Sequence, residues 1–177
     1  MTGGVPVRDA QMPRVAAIGL VIGAILGMAG AFVPSASLRG LAWGLDGTAL
    51  TGAAALLTVH HLRRGNDIVA GGFLVFAIGE ALILAGAAVD LAASAPFFGA
   101  GVALWAASLA FISASGTMPA LLRGVGAVGS VLFAVVAMEI FSGYPLTPLS
   151  RPLPFFAYPV LAATLFGWAW VHYRGAA

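Results

Sequence analysis

The segment that decides the fold comprises residues 68–89, IVAGGFLVFAIGEALILAGAAV, in which Glu80 is the one ionisable residue. An α-helix needs roughly 20 predominantly apolar residues to cross the hydrocarbon core of a bilayer, and this segment is long enough. A carboxylate at that depth is costly unless it faces protein or water, so such a residue marks a functional site or a solute path by default. The segment therefore predicts a membrane-spanning helix with Glu80 as its candidate functional residue.

The composition of the whole chain extends this prediction. Hydrophobic residues make up 61% and charged residues 8% of the 177 residues, and the mean hydropathy is +1.03. This apolar fraction exceeds that of ordinary soluble domains. The chain has no cysteine, which excludes disulfides and thiolate chemistry, and its net charge of +2 does not suggest nucleic-acid binding. We predict an all-α integral membrane protein whose surroundings are a lipid bilayer.

Six apolar segments can be recognised along the chain. They cover residues 15–33, 38–59, 68–89, 97–115, 120–141 and 153–171. They predict a six-helix transmembrane domain at residues 15–173, between a cytoplasmic N-terminal segment (1–14) and a cytoplasmic tail (174–177). Six arginines fall on the side of the two termini and two on the other side, so the positive-inside rule places both termini in the cytoplasm. We predict a multi-pass protein of a bacterial-type inner (plasma) membrane.

Glycines recur along two of the predicted helices. Gly19, Gly23 and Gly27 are spaced by four residues in the first helix, and a second series in the third helix is spaced by seven. Small residues at such spacing let membrane helices approach closely. The first series predicts tight packing inside one bundle or an interface between protomers, and the pattern alone leaves both open.

The helical face of Glu80 mixes aromatic and small residues, because Phe73, Phe76 and Leu84 lie on it at helical spacing. Such a face suits the lining of a narrow path. Burial favours the neutral form of a carboxyl group, which could then bind and release a proton or donate a hydrogen bond to a solute. The alternative is a neutral Glu80 that fixes packing through a hydrogen bond to a neighbouring helix.

Three further polar residues are candidates for supporting the path. Asp46 in the second helix could cap a broken helix, line a vestibule or pair with Arg39. Glu139 lies near the outer end of the fifth helix, where Arg151 is its expected ion-pair partner. Ser108 belongs to a row of hydroxyls in the fourth helix, which more often bond to helix carbonyls than to a solute.

Three histidines, His60, His61 and His172, fall at the cytoplasmic ends of the second and sixth helices. Together they could form a metal site or a pH-sensing cluster. A haem-binding bundle needs histidines at membrane depth on facing helices, and the chain has none there. The sequence also lacks GxSxG, HExxH and Walker motifs. We predict no metal, no cofactor and no enzymatic activity.

The join between the second and third helices, residues 61–66 (HLRRGN), resembles a run in the acetate uptake transporter (succinate–acetate permease) family. Phe73 and Phe76 fall at the aromatic positions that follow in that family. Gly101, Leu104, Trp105, Gly116, Thr117 and residues 131–134 are similar to its fourth and fifth helices. The first-helix signature Asn-Pro-Ala-Pro-Leu-Gly-Leu is missing, so the chain resembles a divergent member.

The resemblance implies a six-helix protomer with its own pore, assembled into a homo-oligomeric ring of about six. It implies passage of acetate, another short-chain monocarboxylate or succinate, either proton-coupled or channel-like, through a hydrophobic constriction at Phe76, Val131 and Val21. A charged Glu80 would repel a carboxylate anion. Glu80 must therefore be protonated during passage or point away from the pore, or else the solute is neutral or cationic.

The leading prediction is a membrane channel or transporter for a small solute. Its path residues are Glu80, Phe73, Phe76, Val131 and Val21. A second hypothesis is a non-transporting membrane subunit of a larger complex, which the missing signature would explain. A third is a redox or metal-binding membrane protein that uses the three histidines.

Overall fold

A computed structural model of the chain describes residues 7–87, 89–144, 146–151 and 153–175, without the side chains of residues 7–10 and 153–154. Those ranges fold into six α-helices and contain no β-strand, which confirms the predicted all-α class. The helices are α1 (Val7–Gly30), α2 (Ala36–Leu62), α3 (Asp67–Gly86), α4 (Ala95–Ala114), α5 (Ala120–Phe141) and α6 (Leu153–Gly175).

The helices begin and end close to the predicted breaks, with one larger difference at the N-terminus. α1 begins at Val7, so residues 7–14, predicted as a separate segment, continue the first helix; residues 1–6 and 176–177 lie outside the description. The turn after α2 is closed by a hydrogen bond of 3.0 Å from the amide of Asn66 to the carbonyl of His61. Gly65 supplies the positive φ of 70° that this turn needs.

Five of the six helices are long and apolar enough to span a membrane, namely α1 and α3–α6. α2 has 27 residues, but Asp46 and several threonines interrupt its apolar run. One face of α2 is nevertheless buried, including Leu50, Ala54 and Leu57. Contacts with α1 on one side and α3 on the other hold α2 in the bundle. Its polar groups are therefore accommodated by other helices.

The six helices form a closed ring. Each helix contacts the preceding and the following one, and α1 contacts α6. The interior is filled by large side chains with almost no exposed surface, among them Phe73, Phe76, Phe133 and Trp168. The outer surface carries exposed large apolar side chains on every helix, as a lipid-facing surface does.

The glycine series of α1 packs against α2. A Cβ atom at Gly19 would lie 3.0 Å from the Cβ of Ala53, and Gly23 and Gly27 both face the carboxyl group of Asp46. The intramolecular prediction for this series is therefore confirmed. A homo-oligomeric ring, which stays a prediction, would have to use another face of the bundle.

Gly79 gives a test of the helix packing. A Cβ atom at this position would lie 2.9 Å from the backbone carbonyl oxygen of Gly101 on α4. Because the backbone can yield only if the helices separate, we expect Gly79→Ala to lower the free energy of unfolding by about 1–3 kcal/mol. Denaturant unfolding in detergent micelles measures this change.

The matched control is Gly71→Ala on the same helix, where a Cβ atom would have no neighbour within 4 Å. Its expected effect is below about 1 kcal/mol. Equal destabilisation by the two substitutions would contradict the close approach of α3 and α4.

Candidate functional site

Glu80 lies six residues before the end of α3 and is buried, with 2% of its surface exposed. Its Oε1 atom has no hydrogen-bond partner among the described residues. This oxygen therefore makes no hydrogen bond to a described residue of a neighbouring helix, which a packing role of Glu80 would require. A buried polar atom without a partner requires an explanation, such as water, an ion or a solute.

The explanation lies in a cavity of about 300 Å³ that Glu80 lines, here called the chamber. It is bounded by α1, α2, α3, α4 and α6. Its walls include Gly27, Trp43, Asp46, Glu80, Trp105 and Ala162. The structure thus brings Asp46 and Glu80, which are separated in sequence, to one internal space.

The lining residues Ala36, Gly40, Val89 and Leu91 are exposed at the end of the bundle where α2 begins, so we place the mouth of the chamber there. This is the side predicted to face outward. Arg39 lies there, and its Nη1 atom donates a hydrogen bond of 3.3 Å to the carbonyl of Val33. Tyr158 and Pro148 also line the chamber, and the hydroxyl of Tyr158 donates a hydrogen bond of 3.0 Å to the carbonyl of Pro148. These contacts tie the loops to the helices around the opening.

Of its three predicted positions, Asp46 has the one that lines an internal space. α2 continues without a break from Ala36 to Leu62, so Asp46 caps no helix end. Arg39 lies seven residues earlier, about 10 Å along the helix axis, and bonds to a carbonyl instead, so the predicted pair does not form. The Oδ1 atom of Asp46 has no partner within the described chain.

The sequence makes room for Asp46 through the glycines of α1. A Cβ atom at Gly27 would lie 2.8 Å from Oδ2 of Asp46, and one at Gly23 would lie 3.1 Å from Oδ1. The spacing of four residues therefore serves both the close approach of α2 and the space around a carboxyl group.

Asp46 and Glu80 are the two carboxyl groups among the described residues that line the chamber. Arg39, at the mouth, is the single basic residue among the described lining residues. Two negative charges in an apolar enclosure repel each other, and each is disfavoured by burial. The two carboxyl groups are therefore stable when they are protonated or when a cation binds beside them.

An aromatic layer closes the bundle below the chamber; it consists of Phe73, Phe76, Trp105, Phe133 and Trp168. Phe76 stacks on Trp105, with ring centroids 5.9 Å apart and planes at 16°. The ring of Trp168 meets those of Phe73 and Phe76 edge-on, at 5.0 Å and 6.0 Å. Phe133 packs edge-on against Trp105 at 5.2 Å. The layer separates the chamber from the opposite end of the bundle.

The three histidines meet beyond this layer, as their positions in the sequence predicted. The ring centroids of His61 and His172 are 5.2 Å apart, and that of His60 is 6.1 Å from that of His172. The Nε2 atoms of His61 and His172 lie 2.9 Å apart. The described residues contain no group of three ligands with the geometry to hold a metal ion.

The hydrogen bonds of this histidine pair determine its tautomers. Nδ1 of His172 lies 2.6 Å from the carbonyl oxygen of Trp168, so this nitrogen carries a proton and donates it. Nε2 of neutral His172 is then an acceptor, and His61 must donate through its own Nε2. Nδ1 of His61 is left without a proton, and it has no partner in the described part of the chain.

Nitrogen-15 spectra of histidine-labelled protein at neutral pH test this assignment. We expect a single protonated nitrogen in each ring, Nδ1 of His172 and Nε2 of His61. The variant His172→Phe should release His61 into a mixture of tautomers, because its acceptor is gone. A tautomer mixture for His61 in the unmodified protein would contradict the assignment.

The structure does not place Val131 in the predicted constriction. This side chain is 64% exposed and lies on the outer face of α5. Phe133, two positions later and roughly 200° further around the helix, takes the interior position and belongs to the aromatic layer. Val21, on α1, is partly buried and packs against the hydrophobic core of the bundle, and Phe76 is fully buried in the aromatic layer.

The remaining predicted support residues lie outside the chamber. Ser108 is fully buried in α4, and its Oγ atom has no partner among the described residues. Glu139 is partly exposed on α5. The predicted ion pair between Glu139 and Arg151 does not form, so this prediction is wrong. The Cζ atom of Arg151 instead lies 4.8 Å from the ring centroid of Phe155, which is four residues away in the sequence.

Comparison with protein-family models, with curated proteins and with solved structures finds no match to this chain. The similarity to the acetate uptake transporter family therefore rests on the quoted residues alone and stays a prediction. The function has to be argued from the chamber and its chemistry.

Proposed function

We propose that this multi-pass membrane protein is a transporter or channel for a small solute, and that the chamber is its solute site. The observation that carries the proposal is the position of Glu80. Its carboxyl group is 2% exposed, it has an oxygen without a partner, and it lines a cavity of about 300 Å³ that opens at one end of the bundle. Buried ionisable groups of this kind are typical of solute and proton paths.

The two ends of the path support the same proposal. The chamber opens toward the end where α2 begins, and the aromatic layer closes it toward the histidines. Passage of a solute requires the aromatic layer to part, since Phe73, Phe76 and Trp168 have almost no exposed surface. Opening on one side and closure on the other is the arrangement that alternating access or a gated channel uses.

The acetate or other monocarboxylate predicted from the family resemblance is one class of solute for this path. Such an anion would meet Asp46 and Glu80 and would be repelled unless both carry protons. Transport of this class would therefore improve as the pH falls, because protonation removes both negative charges.

Uptake into liposomes that contain the purified protein tests the proposal. The probes are radiolabelled acetate and radiolabelled methylammonium, each with an imposed pH gradient. We expect at least one of them to enter faster than into protein-free liposomes, with a rate that saturates as its concentration rises. Uptake of both at the protein-free rate would contradict the proposal.

A further inference from the structure

We infer that the chamber selects a small organic cation, such as a protonated or quaternary amine, and holds its charge against Asp46 and Glu80. This inference rests on the proposed function and names the class of solute for the same site. It departs from the monocarboxylate that the family resemblance implies.

The charged residues that line the chamber favour a cation. Asp46 and Glu80 each present a buried oxygen without a hydrogen-bond partner, so both can still accept from a solute. Arg39 is the single basic side chain among the described lining residues, and its guanidinium already bonds to the carbonyl of Val33 at the mouth. A cation completes such a site, whereas an anion adds a third negative charge to it.

The walls of the chamber give the second argument. The rings of Trp43, Phe98 and Trp105 line it, and the face of an aromatic ring attracts a cation. One of these rings already does so, because the Cζ atom of Arg39 lies 5.7 Å from the ring centroid of Trp43. The other walls are largely glycine, alanine and leucine, which suits the apolar body of an organic amine.

The unpaired Trp105 nitrogen refines the expected solute. The indole Nε1 atom of Trp105 is buried and has no hydrogen-bond partner among the described residues. It is a donor only, so it can bind an acceptor group on the solute or a water molecule. A small amine with a hydroxyl or carbonyl group would satisfy both this donor and the carboxyl pair.

The pH dependence of cation binding has the opposite sign to that of acetate. The titratable groups that face Glu80 in the chamber are Asp46 on α2 and Tyr158 on α6, with Arg39 charged at the mouth. As the pH falls, Asp46 and Glu80 take up protons and lose the charge that holds the cation. Cation binding therefore weakens in acid, whereas acetate uptake strengthens.

A cysteine inside the chamber tests the inference, since the chain has no cysteine of its own. Ala162 on α6 lines the chamber, and Ala162→Cys adds little volume. Its rates of reaction with a cationic and an anionic methanethiosulfonate reagent are measured in detergent at neutral pH. Each rate is divided by the rate at Ser142→Cys, an exposed position just beyond α5, to remove intrinsic reactivity.

We expect the normalised rate for the cationic reagent to exceed that for the anionic one by about tenfold or more, as in clefts lined by one sign of charge. The preference should shrink in the background of Glu80→Gln or Asp46→Asn. Equal normalised rates, or a preference for the anion, would overturn the cation inference and leave the chamber in place.

A different outcome would overturn the proposed function itself. If neither reagent modifies Ala162→Cys in the folded protein, while both modify it after denaturation, the chamber is not open to solutes. Ala24→Cys, on the α1 side of the chamber, repeats the measurement if the first variant does not fold.

Discussion

Glu80→Gln is expected to lower saturable uptake of an organic cation such as methylammonium by about tenfold or more. The substitution keeps the shape and the hydrogen-bonding capacity of the side chain and removes its charge. Glu80 is the most deeply buried carboxyl group of the chamber, with 2% of its surface exposed. When a cation is bound beside Glu80, the negative charge of the carboxylate attracts it through a medium of low dielectric constant, where the attraction is strongest.

The measurement is initial uptake into liposomes as a function of concentration and external pH. The matched control is Glu139→Gln, since Glu139 is partly exposed on α5 and does not line the chamber; we expect it to leave uptake unchanged. Asp46→Asn should weaken uptake in the same direction as Glu80→Gln. Unchanged flux and an unchanged pH profile in Glu80→Gln would remove Glu80 from the mechanism.

Trp168→Ala is expected to turn the closed path into a leak. The indole ring of Trp168 is 1% exposed and packs edge-on against Phe73 and Phe76, the two α3 rings of the aromatic layer. Its removal leaves a void of side-chain size between the chamber and the histidine pair. We expect rapid uptake down the concentration gradient that no longer saturates and no longer depends on the imposed pH gradient.

Two control variants on α6 test whether the leak is specific to the loss of the ring from the aromatic layer. Trp168→Phe keeps a ring in the layer and should retain saturable uptake. Trp170→Ala, two positions later, removes a ring that is 57% exposed on the outer face and should cause no leak. A leak of the same size in Trp170→Ala, or none in a folded Trp168→Ala, would contradict the gating role of the aromatic layer.

Much of the fold could be predicted because each helix is long, apolar and bounded by proline, glycine or charge. The bounds of α5 agree with the predicted segment at both ends. α2 is the helix whose hydropathy is the weakest guide, because Asp46 interrupts its apolar run. Hydropathy does not show whether a neighbouring helix makes room for that carboxyl group. The glycine spacing in α1 was the one sequence signal of that accommodation.

The candidate site could be predicted only in part, because it depends on which helix faces face inward. Glu80, Phe73 and Phe76 were found from helical spacing within α3, which is local information. That Asp46 lines the same space as Glu80 could not be decided from the sequence, which left capping, a vestibule and a pair with Arg39 open for Asp46. Val131 was placed inward by resemblance, but Phe133 takes the interior position on α5 and leaves Val131 on the outer face, 64% exposed.

Whether Glu80 faces a water-filled chamber is tested by the reaction of Glu80→Cys with a membrane-impermeant thiol reagent, added to oriented vesicles from either side. We expect modification from the side where α2 begins and none from the side of the histidines. Ser108→Cys, fully buried and outside the chamber, should stay unmodified from both sides, and both variants should react after denaturation. No modification of folded Glu80→Cys from either side would show that Glu80 faces no water-filled chamber.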